Sequence, residues 1–206
     1  MSLISRVQNI LLRPKEEWGV IDAEPATIGS IYTSYVMILA AIGPICGLIG
    51  SQVIGVSMFG VTYKPPIVYS VGNAVVGYVM SLVVVFVSAL IIDALATSFG
   101  GTKDQVKALK VAAYSSTAAW VAGVFTIIPM LGILVLIGVL YGLYLLYLGL
   151  PRLMRVSEDK AIGYTVVVIV VQIVLYFVVA MVVAALVAAF FGSMLMATGA
   201  VPTIRY

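Results

Sequence analysis

The 206-residue chain has no histidine, one cysteine and very little charge. Without histidine there is no imidazole to activate a serine or cysteine, and none to hold a metal. A single cysteine, Cys46, excludes a disulfide framework within the chain. Cys46 lies in an apolar run and reads as an inert small hydrophobe. Charged residues make up 9% of the chain, where a soluble domain carries about 25%. With 63% hydrophobic residues, the chain cannot cover a water-facing surface. The glycine-rich phosphate loop GxxxxGK[ST] is missing, as are HExxH and GxSxG. Paired intramembrane carboxylates are missing too. An enzyme is therefore not expected, nor any cofactor. A net charge of +3 is too small to point to nucleic acid. No cleavable signal peptide is expected, because the first apolar stretch is short and runs into charge.

What is present is apolar length. Runs of 18 or more apolar residues read as membrane spans. The class is an all-α polytopic membrane protein, with five transmembrane helices after a short interfacial helix. Residues 2–13, SLISRVQNILLR, put Leu3, Ile4, Val7, Ile10 and Leu11 on one face of that interfacial helix. Pro14 ends it, and Trp18 follows as a headgroup-level anchor. The organisation expected is a cytosolic juxtamembrane segment, 1–30, and a five-helix domain, 31–206.

The spans read as about 31–54, 67–96, 106–128, 130–150 and 162–191. Gly43-Pro44 predicts a kink in the first, since proline cannot donate the helical hydrogen bond. Gly43, Gly47 and Ser51 form a small-residue ridge for close helix packing, and Ala180, Ala184 and Ala188 form a second. Gly100-Gly101 reads as a helix stop, and Thr102 with Gln105 as the capping box that opens the third span. Pro151 starts a charged link, and Ser157 opens the last helix.

Charge sets the expected orientation. Arg6, Arg13, Lys15, Lys103, Lys107, Lys110, Arg152, Arg155 and Lys160 fall on one side of a five-span chain. Lys64 and Arg205 fall on the other. Nine against two predicts a cytoplasmic N-terminus and a periplasmic C-terminus.

Few residues are candidates for chemistry. Asp93, near the end of the second span, is the candidate intramembrane acid. It either marks an ion or proton path or sits at the cytoplasmic rim and pairs with Lys107, Lys110 or an arginine. Lys103, Lys107, Lys110, Arg152 and Arg155 are candidates for docking anionic lipid or an acidic partner. The same charges can simply set topology. Glu16, Glu17, Asp22 and Glu24 form an acidic cluster, either paired with those lysines or solvated.

Tyr114, Ser115 and Ser116 give the third span a polar centre, and Tyr141, Tyr144 and Tyr147 recur along the fourth. Measured from Pro151 by helical rise, Tyr147 lies about 6 Å in, Tyr144 about 10 Å and Tyr141 about 15 Å. Tyr147 therefore reads as an anchor. Tyr141 and Tyr144 read as buried phenols with Ser115, Ser116 or a backbone carbonyl as partner.

The segments FGGTKDQVKALKVAAYSSTAAWVAGVFTIIPMLGIL and YGLYLLYLGLPRLMRVSEDKAIGYTVV resemble the bacterial inner-membrane branch of the Yip family. These are five-span relatives of the eukaryotic Ypt/Rab-interacting membrane proteins. The opening LLRPKEEWGVIDAE resembles that branch's N-terminal motif. The chain departs from the eukaryotic members in lacking a DLYGP motif, and Ala118-Ala119 stands where the pattern has a proline. The resemblance implies five helices and a cytosolic N-terminus, and it carries over no catalytic residue.

The function expected is association with membrane lipids, a membrane-protein partner or a second copy of the chain. The alternative is a small-solute or ion transporter with a cavity lined by the tyrosines and serines.

Overall fold

The computed structural model describes residues 2–58 and 61–198. Two short helices, α1 (Leu3–Leu12) and α2 (Pro14–Ala23), come first. Ser2 caps α1 by accepting from the Ser5 N–H. Pro14 ends α1 and also starts α2, because its fixed φ and missing donor suit the first helical position. The first long helical path is Ile28–Val53, and it changes character twice. It opens with α3 (Ile28–Ile31), loosens into a π-helical turn at Tyr32–Val36, and resumes as α4 (Met37–Ala40). It breaks at Ala41 before α5 (Ile42–Val53). The break is the consequence of Pro44, three residues on, which leaves the Ala40 carbonyl without its N–H. The π turn had no signal in the sequence.

A small antiparallel hairpin, β1 (Val56–Met58) with β2 (Val61–Tyr63), fills part of the loop expected after the first span. Then come α6 (Ile67–Ala96) and a 3-10 turn that stops at Gly100, whose φ of +75° suits glycine. The next helix is capped by Asp104, which accepts from the Lys107 N–H at 3.0 Å. This corrects the expected Thr102 cap, and Gln105 becomes the first helical residue.

Four helical stretches are long and apolar enough to cross a membrane among the described residues: Ile28–Val53, Ile67–Phe99, Pro129–Leu153 and Glu158–Ala189. The expected third span is not a continuous helix. It divides into α7 (Gln105–Ser115), α8 (Thr117–Ala122) and a 3-10 segment, Gly123–Ile127. Hydroxyls explain the break: Ser116 donates back to the Ala112 carbonyl at 2.8 Å, and Thr117 to the Tyr114 carbonyl at 2.7 Å. A 3-10 turn, Pro129–Ile133, leads into α9 (Leu134–Leu153), which runs through Pro151 rather than ending before it. The chain continues in α10 (Glu158–Thr198).

The broken element is the axis of the bundle. α6 and α9 pack on α7, α9 also on α8, and α5 on the 3-10 segment. All eight residues from Ala108 to Ser115 are buried. That position accounts for its composition. A helix covered by protein on every side needs small side chains more than apolar ones, whereas α6, α9 and α10 show Val, Ile and Leu outward. Ile10, Trp18 and Ile21 of the N-terminal helices join the same core cluster as Tyr35, Leu109, Tyr114 and Leu145.

The first small-residue ridge works with one substitution of register. Gly43 meets Gly123, and Gly47 faces the Thr126 hydroxyl. The tightest contact is then at Gly50, where a Cβ would overlap the Ile127 carbonyl oxygen. Ser51 instead donates to Leu48 of its own helix at 2.9 Å. Gly50→Ala is expected to cost about 1–3 kcal/mol by overpacking against rigid backbone, and Ser51→Ala under about 1 kcal/mol. Unfolding in detergent micelles checks this, and equal losses would contradict the register. Among the described residues no helix covers the second ridge, Ala180, Ala184 and Ala188. It is exposed and lines an open groove with Tyr69 and Asn73.

Candidate functional site

The charged residues concentrate where α1 and α2 fold back on the bundle. The Arg6 guanidinium donates to the carboxylates of both Glu17 and Glu24. It lies 5.7 Å from the Tyr114 ring centroid, a cation–π contact. Arg6 and Glu17 are 5% and 4% exposed, so this pair is desolvated. The π turn sets Tyr35 against Tyr114, with ring centroids 4.6 Å apart. The Tyr35 hydroxyl pairs with Thr117 at 2.7 Å. Since the Thr117 proton goes to the Tyr114 carbonyl, Tyr35 must be the donor.

Lys110 is 4% exposed and turned inward, where its ammonium donates to the carbonyls of Ile21 and Glu24 at the end of α2. A cation on the open carbonyls of a helix C-terminus is favourable twice, by hydrogen bond and by dipole. Lys107 pairs with Asp22 at 2.8 Å, and Arg155 reaches the same carboxylate at 3.7 Å. Arg152 lies over Gly19 and donates to the Lys15 carbonyl at 3.3 Å. Four of the five expected docking cations thus hold the N-terminal segment, because α2 offers acids and free carbonyls in reach. Lys103 is exposed.

Trp18 is not a headgroup anchor. It is 1% exposed and its ring lies in the slot left by Gly149. The most outward apolar residues of this segment are Ile4 and Leu12, 69% and 78% exposed, followed by Val20 at 42%.

The tyrosine row divides. Tyr141 donates to the Leu11 carbonyl at 2.7 Å, which fits the expected backbone acceptor and caps the last turn of α1. Tyr144 is 41% exposed and faces outward, contrary to expectation, and so does Tyr147. The reason is rotation: steps of three residues fall about 60° short of a full turn each time. Tyr141→Phe is therefore expected to cost about 0.6–2 kcal/mol, and Tyr144→Phe nothing measurable. Paired melting curves in one detergent decide it, and equal losses would place both phenols inside.

Ser115 is buried with its hydroxyl unpartnered, and its carbonyl lies where a Cβ on Gly142 would meet it at 2.8 Å. Asp93 sits elsewhere, between α6 and α10. Its Oδ1 is buried without a hydrogen bond, beside a seam in which Tyr164 donates to the Ile92 carbonyl and Ser88 to Gln172. Of the candidates Asp93, Tyr114, Ser115, Ser116, Tyr141 and Tyr144, only Tyr114 lines the polar cleft described next. Among the described residues no three His, Cys, Asp or Glu side chains come together to hold a metal.

One polar cleft does open in this region, about 210 Å³, between the start of α1 and the start of the first long helix. Arg6 and Glu24 supply its charges, Ser2, Ser30 and Ser34 its hydroxyls, and Tyr35 and Tyr114 its floor. Sequence reading missed it. Its residues come from three separate segments, and the π turn that aims Tyr35 leaves no pattern.

A Yip1 domain model matches residues 9–180. Two relatives, both inner membrane protein YohC, come from Escherichia coli strain K12 and from Escherichia coli O6:H1 strain CFT073. Each is 28% identical over 166 residues, covering 79% of this chain and 85% of the relative. No solved structure matches.

Proposed function

The chain belongs to the Yip1 domain family, and from that membership we propose a non-enzymatic, multi-pass inner-membrane protein that acts by association with lipids or partner proteins. It sits with the bacterial inner-membrane branch, as the name of its relatives supports. The observation that carries the reading is the cleft between the N-terminal segment and the bundle. There Arg6 and Glu24 converge, and the Ser30 and Ser34 hydroxyls give their protons to backbone carbonyls rather than to a carboxylate base. Such a site binds and holds rather than reacts.

Five crossings fit the geometry. The broken element α7–α8–3-10 measures about 35 Å by helical rise, enough for a roughly 30 Å core. Lys107, Lys110, Arg152 and Arg155 meet the N-terminal segment at one end, which supports a cytoplasmic N-terminus and a periplasmic C-terminus. Arg205 lies outside the described residues. Single cysteines at Lys64 and Lys103 should label from opposite faces of the membrane, and same-side labelling would overturn this orientation.

The function itself is tested by purification in a mild detergent followed by native mass spectrometry. Retention of a defined lipid or a stoichiometric protein partner is the expected result. A bare monomer from every lipid background would overturn it.

A further inference from the structure

The cleft has an unusual hydrogen-bond character. Ser30 gives its proton to the Thr27 carbonyl at 2.9 Å, and Ser34 gives its own to the Ser30 carbonyl at 2.5 Å. Tyr35 donates to Thr117. All three residues line the cleft with their hydroxyl protons already spent, and Ser30 also accepts from the Thr27 N–H at 2.9 Å, so what these groups still offer is lone pairs. Glu24, whose side chain is 41% exposed, adds a carboxylate that Arg6 engages through only one oxygen. The side of the cleft formed by Glu24, Ser30 and Ser34 therefore offers acceptors, and it selects a group rich in donors.

A primary ammonium fits that demand, with three N–H donors on one charged centre. A quaternary ammonium has the charge but no donor, and a glycerol headgroup has donors but no charge for Glu24. The other side of the cleft suits an anion. α1 is a ten-residue helix whose N-terminal residues, Ser2 and Leu3, line it, and the Arg6 guanidinium stands behind. The volume, about 210 Å³, equals the share of about seven waters. The surface alongside is apolar and outward: Ile4 is 69% exposed, Met37 42% and Ile38 50%. Acyl chains have a path there, whereas a soluble amine would gain nothing from it.

We propose that this cleft is a headgroup site for a zwitterionic aminophospholipid of the phosphoethanolamine type. The ammonium sits among Glu24, Ser30 and Ser34, and the phosphate at the start of α1. The proposal rests on the association reading and names its ligand.

The test uses the full chain in nanodiscs containing equal phosphatidylethanolamine, phosphatidylcholine and phosphatidylglycerol, released for native mass spectrometry. The expected result is one phosphatidylethanolamine retained over either competitor by about tenfold or more. Ser34→Leu fills the cleft from an exposed position, and Glu24→Gln removes the carboxylate charge. Both should bring the preference to about one, with Ser34→Leu keeping the wild-type melting temperature. Equal retention of phosphatidylcholine would overturn the donor argument, and an unchanged preference in Ser34→Leu would overturn the location. Displacement by millimolar ethanolamine or spermidine would overturn the lipid source. Selective retention of phosphatidylglycerol would overturn the headgroup site and leave the association reading standing. Retention of no lipid and no partner would remove both.

Discussion

Arg6→Met is expected to cost about 3–5 kcal/mol of stability, because it strands a buried carboxylate. Glu17 is 4% exposed and its partner is Arg6. Once the guanidinium is gone, that carboxylate must either stay charged in a poor solvent or take up a proton. Glu24 suffers less, since its side chain is 41% exposed and water can reach it. The loss should therefore be repaired at one position only. Arg6→Met with Glu17→Leu should recover most of the stability, as buried pairs replaced by apolar residues of similar size usually do. Arg6→Met with Glu24→Gln should not. Arg6→Lys should fall between, since one ammonium cannot bridge two carboxylates with a planar fork. Reversible unfolding in mixed micelles reads all four variants. A single-variant cost below about 1 kcal/mol would mean that the triad is solvated like a surface pair.

That triad marks where sequence reasoning stopped. Hydrophobic runs gave away four long helices and the amphipathic α1, because lipid imposes length and composition directly. The kink near Pro44 was legible for the same reason: a missing donor acts locally. The third span was located but its continuity was not. Ser116 and Thr117 read as polar residues in a helix, and only the structure shows their protons turned on the backbone of the preceding turn. Arg6 counted as one more positive charge near the N-terminus. Nothing in residues 2–24 says that this short segment enters the core, because burial there is conferred by partners over 80 positions away. Lys110 at Ile21 and Tyr141 at Leu11 are such contacts, both made to backbone carbonyls, which any sequence possesses. Backbone acceptors leave no trace in side-chain pattern. The cleft is hidden for a related reason: its selectivity lies in which way the protons of Ser30, Ser34 and Tyr35 point.

Trp18→Ala should release the N-terminal segment, at a cost of about 3–5 kcal/mol for a large ring removed from a closed site. The ring is 1% exposed and stands edge-on to Tyr114, centroids 6.4 Å apart at 87°. It fills the space over Gly149, where a Cβ would come within 2.7 Å of ring carbon Cζ2. A headgroup anchor would behave differently, since its removal leaves the fold intact and only loosens the interface. Two further variants separate the cases. Trp18→Phe removes an indole N–H that is buried without an acceptor. That relief offsets part of the lost volume, so Phe should cost well under half of what Ala costs. Gly149→Val pushes into the same slot from α9 and should destabilise alone by about 1–3 kcal/mol. Combined with Trp18→Ala it occupies part of the vacated space, so the double variant should be more stable than the sum of the singles predicts. Hydrogen exchange gives the structural readout. In Trp18→Ala, amides of Leu3–Ala23 should lose protection while those of α6 and α9 keep theirs, because a docked segment opens before the bundle it rests on. Uniform loss across the chain would make Trp18 a general core residue. Since Arg6 and Glu24 line the cleft from this segment, its release should also abolish headgroup selectivity, so Trp18 controls the site without touching what binds there.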